Sequence, residues 1–104
     1  VLECGETLKD GIRREVLEET GLMIEPVSIV EVFERIMRDA DGKPEYHYVL
    51  IDYLCEVRGG TLIAGDDVAR AEWFARTDIA RLRMTEGTPP VIDKAFALVG
   101  VGTI

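Results

Sequence analysis

The sequence has little of what several classes of protein require. Its 104 residues include two cysteines, one histidine and one tryptophan, and no apolar run is long enough to cross a bilayer. Twelve lysines and arginines stand against 20 acidic residues, which gives a formal net charge of −8. Because a nucleic-acid backbone needs a basic face, we predict neither a nucleic-acid partner nor a membrane partner.

The small number of cysteines also bears on the compartment. Cys4 and Cys55 show no metal-binding spacing, and we interpret them as thiols of a reducing cytosol rather than as a bridge. The predicted location is therefore cytoplasmic. At this length one domain with a compact core is the limit, so we predict a single domain over residues 1–104.

What the sequence does have is a strong helix signal near its start, in the stretch from Glu6 to Leu22. Thr7, followed three residues later by Asp10, is typical of a capping box, and Gly21 is a typical terminating residue. Apolar residues between them recur every four positions, as on the buried side of a helix. The pattern predicts an amphipathic helix over this stretch.

Three carboxylates crowd the edge of that apolar stripe. Glu15, Glu18 and Glu19 are i, i+3 and i+4 neighbours of like charge, and each such pair destabilises a helix by roughly 0.2–0.5 kcal/mol. A divalent cation among them is the simplest compensation, and oxygen ligands favour Mg²⁺ or Mn²⁺ over zinc. Arg14 is placed to neutralise part of the cluster and to hold one carboxylate in a fixed direction.

The same stretch resembles the signature box of the Nudix hydrolases. In that box a Glu is followed, after seven residues, by Arg-Glu, a bulky aliphatic residue, one free position, Glu-Glu, one free position and Gly with a second aliphatic residue. The opening Gly of the box would fall one residue before Val1. All eight specified positions from the first Glu onward agree, namely Glu6, Arg14, Glu15, Val16, Glu18, Glu19, Gly21 and Leu22. The other interpretation is an ordinary acidic amphipathic helix.

The resemblance implies a site as well as a fold. It implies a metal cluster held by Glu15, Glu18 and Glu19, with Glu15 or Glu18 as the alternative general base and with Arg14 orienting a carboxylate of the box. Glu6 would brace the loop or a further metal. Two more acidic residues are candidate additions: Asp67, in a turn before a Trp-bearing strand, and Glu86, in a loop; each is also typical of a solvated turn.

The implied fold is a Nudix-type α/β/α sandwich with a mixed β-sheet, whose N-terminal strands lie outside the given chain. Behind Pro26 we predict a strand from Val27 to Phe33, then a turn over Asp39–Pro44. Further predictions are a central strand Tyr46–Val57 buried on both faces, a hairpin turn Arg58–Thr61 into Leu62–Ile63, a turn Gly65–Asp67, a short strand Ala71–Ala75, a short helix capped by Thr77 or Asp78 and ending at Leu82, and a last helix of about Val91–Val99.

By this resemblance the activity is magnesium-dependent hydrolysis of a diphosphate bond in a nucleoside diphosphate linked to another group. The Pro of ADP-ribose-cleaving members is missing between Glu34 and Asp39. The Tyr of dinucleoside-polyphosphate members is missing from the same region, the nearest being Tyr46. Nucleoside triphosphates are therefore the favoured substrates, ahead of ADP-ribose or nucleotide sugars. A nucleotide-sensing module without catalysis and a homodimer stay open, and the residues that bind substrate are not identified.

Overall fold

The computed structural model describes residues 1–102. Helices and strands both occur, and the α/β class is confirmed. None of the helices in this part of the chain combines the length and the apolarity that crossing a membrane would need. In chain order the elements are α1 (Leu8–Thr20), β1 (Leu22–Arg38), β2 (Pro44–Gly60), α2 (Arg76–Ile79) and α3 (Thr88–Gly102).

Helix α1 begins and ends at residues whose local hydrogen bonds and backbone angles cap a helix. The Thr7 hydroxyl accepts a hydrogen bond from the Asp10 amide at 3.2 Å, which satisfies one of the unpaired donors of the first turn. Gly21 ends the helix with a φ of 74°, and its amide donates to the Leu17 carbonyl. The predicted helix and both of its boundaries are confirmed.

Strands β1 and β2 form a two-stranded sheet joined by a five-residue connection, which is too short for a crossover, so the strands are antiparallel. The turn forms as predicted: the Asp39 carboxylate accepts hydrogen bonds from the amides of Asp41 and Lys43 at 2.9 and 3.0 Å. Within residues 1–102 the sheet has these two strands only, so the additional strands of a mixed sheet are not among the described residues.

The strand boundaries differ from the predicted ones at two places, Pro26 and the segment Arg58–Thr61. Pro26 does not separate helix from strand, because β1 begins at Leu22 and runs through it. In a two-stranded sheet each strand has one unpaired edge, where the missing N–H of a proline costs no ladder bond. The hairpin turn predicted at Arg58–Thr61 is also wrong: β2 continues to Gly60, and residues 61–75 form no regular element.

Other predictions depended on partner strands that the described residues do not supply. Leu62–Ile63 and Ala71–Ala75 have strand-like composition but are not strands. Strand β2 is not buried on both faces, since Val49 is 63% exposed. The predicted cap at Thr77 or Asp78 is wrong, because the short helix begins at Arg76, after Ala75, with no side-chain cap. It ends at Ile79, beyond which turn hydrogen bonds reach Leu82. The last helix is confirmed and is longer, with Pro89 and Pro90 in its first turn.

The chain divides into two compact units. The first consists of Val1–Val27 and Cys55–Arg83, and therefore contains α1, the start of β1, the end of β2 and α2. Leu22, Ile24 and Pro26 are buried in it. The second consists of Ser28–Leu54 and the chain from Met84 onward; Val30 is buried there, and Lys94 on α3 forms an ion pair with Glu31 on β1 at 3.2 Å.

Candidate functional site

The three candidate ligands lie on the second half of α1. Helical geometry places Glu15, Glu18 and Glu19 on one side, because residues three and four apart are neighbours on a helix surface. The Glu15 side chain is 36% exposed and that of Glu18 is 62% exposed, and Glu19 is exposed as well. Glu18 and Glu19 belong to the last turn of the helix, which contains no basic residue.

Arg14 is the centre of the charge network on this helix. Its Nε and one terminal nitrogen donate to the two carboxylate oxygens of Glu6 at 2.8 and 3.1 Å, in the bidentate geometry that suits a guanidinium. The other terminal nitrogen donates to Glu18 at 3.2 Å, and an Arg14 nitrogen lies 3.7 Å from Glu15. Arg14 therefore reaches three carboxylates of the box.

The pairing with Arg14 shifts the proton equilibrium of Glu6. The hydrogen bonds from Arg14 lower the pKa of the Glu6 carboxyl below its ordinary value, and a backbone hydrogen bond from Glu3 adds to the effect. In turn, Glu6 raises the pKa of Arg14. Because the Glu6 side chain is only 13% exposed, this pair is the most enclosed ionic contact of the helix.

The carboxylates do not meet at one point. Among residues 1–102, no three side chains of the kinds that bind metals lie close enough together to hold an ion. Glu18 leans towards Arg14, whereas the Glu19 carboxylate makes no hydrogen bond or ion pair within the described chain. The oxygen donors fit Mg²⁺ or Mn²⁺ in their chemistry. In geometry they fit only if these exposed side chains rotate to converge.

A segment that follows β2 packs against the end of α1. The amide of Ile63 donates to the Thr20 carbonyl and the amide of Gly65 to the Glu19 carbonyl, both at 2.8 Å. Gly65 then opens a turn, in which the Val68 amide returns to the Gly65 carbonyl at 3.0 Å, with Asp66 and Asp67 between them. The turn predicted here is confirmed, and it places Asp67 two residues beyond a backbone contact with the helix that carries the box.

Sequence reasoning did not identify Gly65 as part of this site. We interpreted it as a turn glycine, and nothing in the sequence indicates that its backbone meets a helix about 45 residues earlier. Glu86, the other candidate addition, is exposed in the turn before α3 and belongs to the unit that does not contain α1. Within the first unit the structure brings Glu6, Arg14 and Glu18 together.

Comparison with known proteins decides the family. A sequence profile described as the NUDIX domain matches residues 1–95, which is most of the chain. The chain belongs to the Nudix family. The helix α1 with its Arg14–Glu6 pair is thus the Nudix box helix, and Nudix hydrolases generally use divalent metal ions.

Three Nudix relatives are similar to the chain over different lengths. An ADP-ribose pyrophosphatase of Methanocaldococcus jannaschii is 38% identical over 81 residues, which is 78% of this chain and 46% of the relative. The uncharacterized Nudix hydrolase YvcI of Bacillus subtilis is 26% identical over 99% of this chain and 63% of its own length. The mouse 8-oxo-dGDP phosphatase NUDT18 is 33% identical over 75% of this chain and 23% of its own length. The chain thus spans less than two thirds of each.

Proposed function

We propose that the chain catalyses metal-dependent hydrolysis of a phosphoanhydride bond in a nucleoside diphosphate derivative. The observation that carries the proposal is the agreement of all eight specified box residues between Glu6 and Leu22, with Arg14 bonded to Glu6 and Glu18. A helix kept only for its structure would not retain three neighbouring carboxylates, since their mutual repulsion destabilises it.

Glu15, Glu18 and Glu19 are the residues that would hold the metal, with Mg²⁺ or Mn²⁺ as the ion. When bound, the metal supplies charge neutralisation at the phosphate oxygens and orients the attacking water. Asp67 is a further candidate ligand, because its turn is hydrogen-bonded to the last turn of α1 through Gly65. For Glu86 we favour a solvated loop carboxylate over a role in catalysis or metal binding.

The chain's own groups account for the proton and for orientation. A water oxygen bonds to phosphorus, the P–O bond to the leaving phosphate breaks with its electron pair, and a carboxylate accepts the water proton. We assign that carboxylate to Glu15 or Glu18. Arg14 fixes the direction of Glu18 and is itself held by the two oxygens of Glu6, which makes Glu6 and Arg14 positioning residues.

A nucleoside diphosphate is the unit we expect the site to recognise. The names of two relatives include ADP-ribose and 8-oxo-dGDP, and each of these compounds has one P–O–P linkage next to a nucleoside. Nucleoside triphosphates, which come first on the sequence argument, contain the same linkage beside the nucleoside. Homodimer formation stays a prediction. We also propose that the protein is cytoplasmic, because a sequence with two cysteines and no metal-binding spacing is typical of a reducing compartment.

A substrate screen tests this function. The chain is incubated with Mg²⁺ or Mn²⁺ and with ADP-ribose, 8-oxo-dGDP, deoxynucleoside triphosphates or a nucleotide sugar, and the nucleoside monophosphate product is quantified by chromatography. We expect at least one compound to be cleaved at the linkage next to the nucleoside, and chelation by EDTA to stop the reaction.

Two other results have a clear meaning. Nucleotide binding by calorimetry without product from any compound would favour a nucleotide-sensing module. No binding of Mg²⁺, Mn²⁺ or nucleotide would leave an acidic interaction domain and would overturn the proposal.

A further inference from the structure

The last turn of α1 is the least stable place on the helix for two carboxylates. The final turn of a helix leaves carbonyl groups unpaired and tends to fray. Glu18 and Glu19 also add negative charge at the negative end of the helix dipole, and no basic residue of the last turn compensates them. Local interactions alone therefore do not hold these two residues in register with Glu15.

Backbone hydrogen bonds from a segment distant in the sequence pair with carbonyl groups at this end of the helix. The amides of Ile63 and Gly65 donate to the carbonyls of Thr20 and Glu19, two of the acceptors at the helix end. Alternate residues of the segment Thr61–Gly65 thus follow the last turn of α1 from Gly21 towards Glu18. All of these residues belong to the same compact unit.

At position 65, the end of this segment, only glycine fits. A Cβ on Gly65 would lie 2.1 Å from the carbonyl oxygen of Glu18 and 3.2 Å from the Cα of Glu19. The atoms it would meet belong to backbone, which cannot move aside as a flexible side chain can. Any other residue at position 65 must displace either the segment or the turn that carries the two glutamates.

We propose that Gly65 is a positioning residue for the Nudix site: its close backbone contact holds the last turn of α1 so that Glu18 and Glu19 stay in register with Glu15 for the metal. This inference rests on the proposed function, since it assigns Gly65 a role in metal binding by those carboxylates. Gly65 does not touch the metal or the substrate; it acts through the backbone of Glu18 and Glu19.

The test compares Gly65→Ala with Gly59→Ala. Gly59 lies at the end of β2 in the same unit, and a Cβ there would meet only the Met23 sulfur at 3.7 Å, an ordinary contact. We expect Gly65→Ala to raise the metal concentration for half-maximal activity by about tenfold or more and to lower kcat by up to about a hundredfold, because an error of about 1 Å in position has effects of that size. KM for the nucleotide at saturating metal should stay near the wild-type value.

Several results separate this inference from the proposed function. If the wild type cleaves its substrate and both variants show the same metal dependence and kcat, Gly65 has no positioning role and the inference is overturned alone. If the wild type neither binds Mg²⁺ nor cleaves any compound, the proposed function fails and the inference fails with it. A Gly65→Ala variant that is folded by circular dichroism but whose nucleotide KM at saturating metal rises as strongly as its kcat falls would instead indicate a general structural role and would also overturn it.

Should Gly65→Ala not fold, hydrogen exchange of the wild-type chain decides the matter. The amides of Gly65 and Ile63 should exchange slowly because each is hydrogen-bonded to the helix end. Addition of Mg²⁺ should slow them by a further factor of about ten if the segment and the metal stabilise the same turn. Exchange of both amides that does not change when Mg²⁺ binds would contradict the inference.

Discussion

At the scale of single residues, the contacts of Arg14 separate two groups of carboxylates in the Nudix box. Glu6 is enclosed and bonded through both of its oxygens, so its negative charge is already compensated. Glu19 is exposed and has no partner among the described residues, and Glu18 makes only one contact, at 3.2 Å. The charge that remains for a cation is therefore on the last turn and not at Glu6.

This difference leads to a prediction for the two exposed glutamates. Glu18→Gln and Glu19→Gln should each reduce turnover by about a hundredfold or more, since losing even an indirect partner of a metal reduces activity by about 10- to 100-fold. The free energy of unfolding should equal that of the wild type or exceed it by about 0.2–0.5 kcal/mol, because repulsion on the helix is relieved. Steady-state kinetics and urea unfolding measure the two quantities.

The matched control for these variants is Glu56→Gln. Glu56 is an exposed carboxylate of the same unit, and it pairs with Arg58 at 2.7 Å. Its replacement should leave turnover unchanged. Wild-type turnover in both helix variants would remove Glu18 and Glu19 from the site.

A second residue-scale prediction concerns acid. The pKa of the Glu6 carboxyl is lowered in the folded chain, first by the hydrogen bonds from Arg14, so the folded state holds the proton less well than the unfolded state does. The stabilising contribution is then complete above the ordinary Glu value of 4.5 and is lost as the pH falls below it through the folded pKa. We expect Glu6→Gln to be less stable than wild type at neutral pH and to lose less stability on acidification.

Urea unfolding at neutral pH and at about pH 3 measures this difference. Glu25→Gln is a useful comparison, because Arg13 lowers the pKa of Glu25 in the same way at 2.6 Å, and a change of the same sign is expected. A gap between wild type and Glu6→Gln that does not depend on pH would contradict the assigned cause.

At the scale of elements, the end of α1 depends on more than a favourable backbone angle. Gly21 has a φ of 74°, which favours glycine and is tolerated by asparagine. However, a Cβ on Gly21 would lie 2.4 Å from the carbonyl oxygen of Thr61. The helix end and the chain after β2 thus approach each other more closely than any side chain allows.

This contact makes a prediction that separates steric contact from backbone angle. Gly21→Ala and Gly21→Asn should both lower the free energy of unfolding by about 1–3 kcal/mol, the usual range for forcing extra atoms into a packed place. If the angle alone mattered, asparagine would restore most of the stability lost with alanine. Recovery in Gly21→Asn, measured by urea unfolding, would show that the contact with Thr61 is not limiting.

The elements also show where sequence reasoning succeeds and where it fails. Both ends of α1 were predictable because Thr7 and Gly21 act on amides and carbonyls within a few residues of themselves. The Asp39 turn was predictable for the same reason. The end of β2 was not, since Gly59 and Gly60 are typical of a turn in any sequence and continue the strand here.

In the site, the sequence identifies the chemistry but not the arrangement. The spacing of Glu15, Glu18 and Glu19 indicates a divalent cation, and helical periodicity puts them on one side of α1. That Glu18 leans towards Arg14 depends on side-chain rotation, which periodicity does not specify. The approach of Gly65 depends on a contact between segments far apart in the chain, for which a single sequence has no local signal.

At the scale of the whole molecule, each of the two compact units contains few buried apolar side chains. Leu22 and Ile24 are in the first unit and Val30 is in the second, and these are the buried hydrophobic residues of the described structure. A unit of about half this chain is below the size at which a core is usually sufficient by itself. The single domain over residues 1–104 therefore stays a prediction, and we expect it to unfold in one step.

The aromatic residues provide a test of that prediction. Trp73 is the one tryptophan and belongs to the first unit, whereas Tyr46, Tyr48 and Tyr53 all belong to the second. Thermal unfolding followed through the NMR signals of the tryptophan indole and the tyrosine rings should give one common midpoint. Two midpoints that differ beyond experimental error would show that the units unfold independently.

Where β1 begins and β2 ends, the backbones of Gly21 and Gly60 approach each other closely. A Cβ on Gly60 would lie 2.3 Å from the carbonyl oxygen of Gly21, so this junction tolerates no side chain. The opposite end, at Asp41 and Gly42, is exposed, and a Cβ on Gly42 would meet nothing within 4 Å. A fluorescent label or an affinity peptide for immobilising the protein therefore belongs at this tip, where it leaves the glycine junction intact.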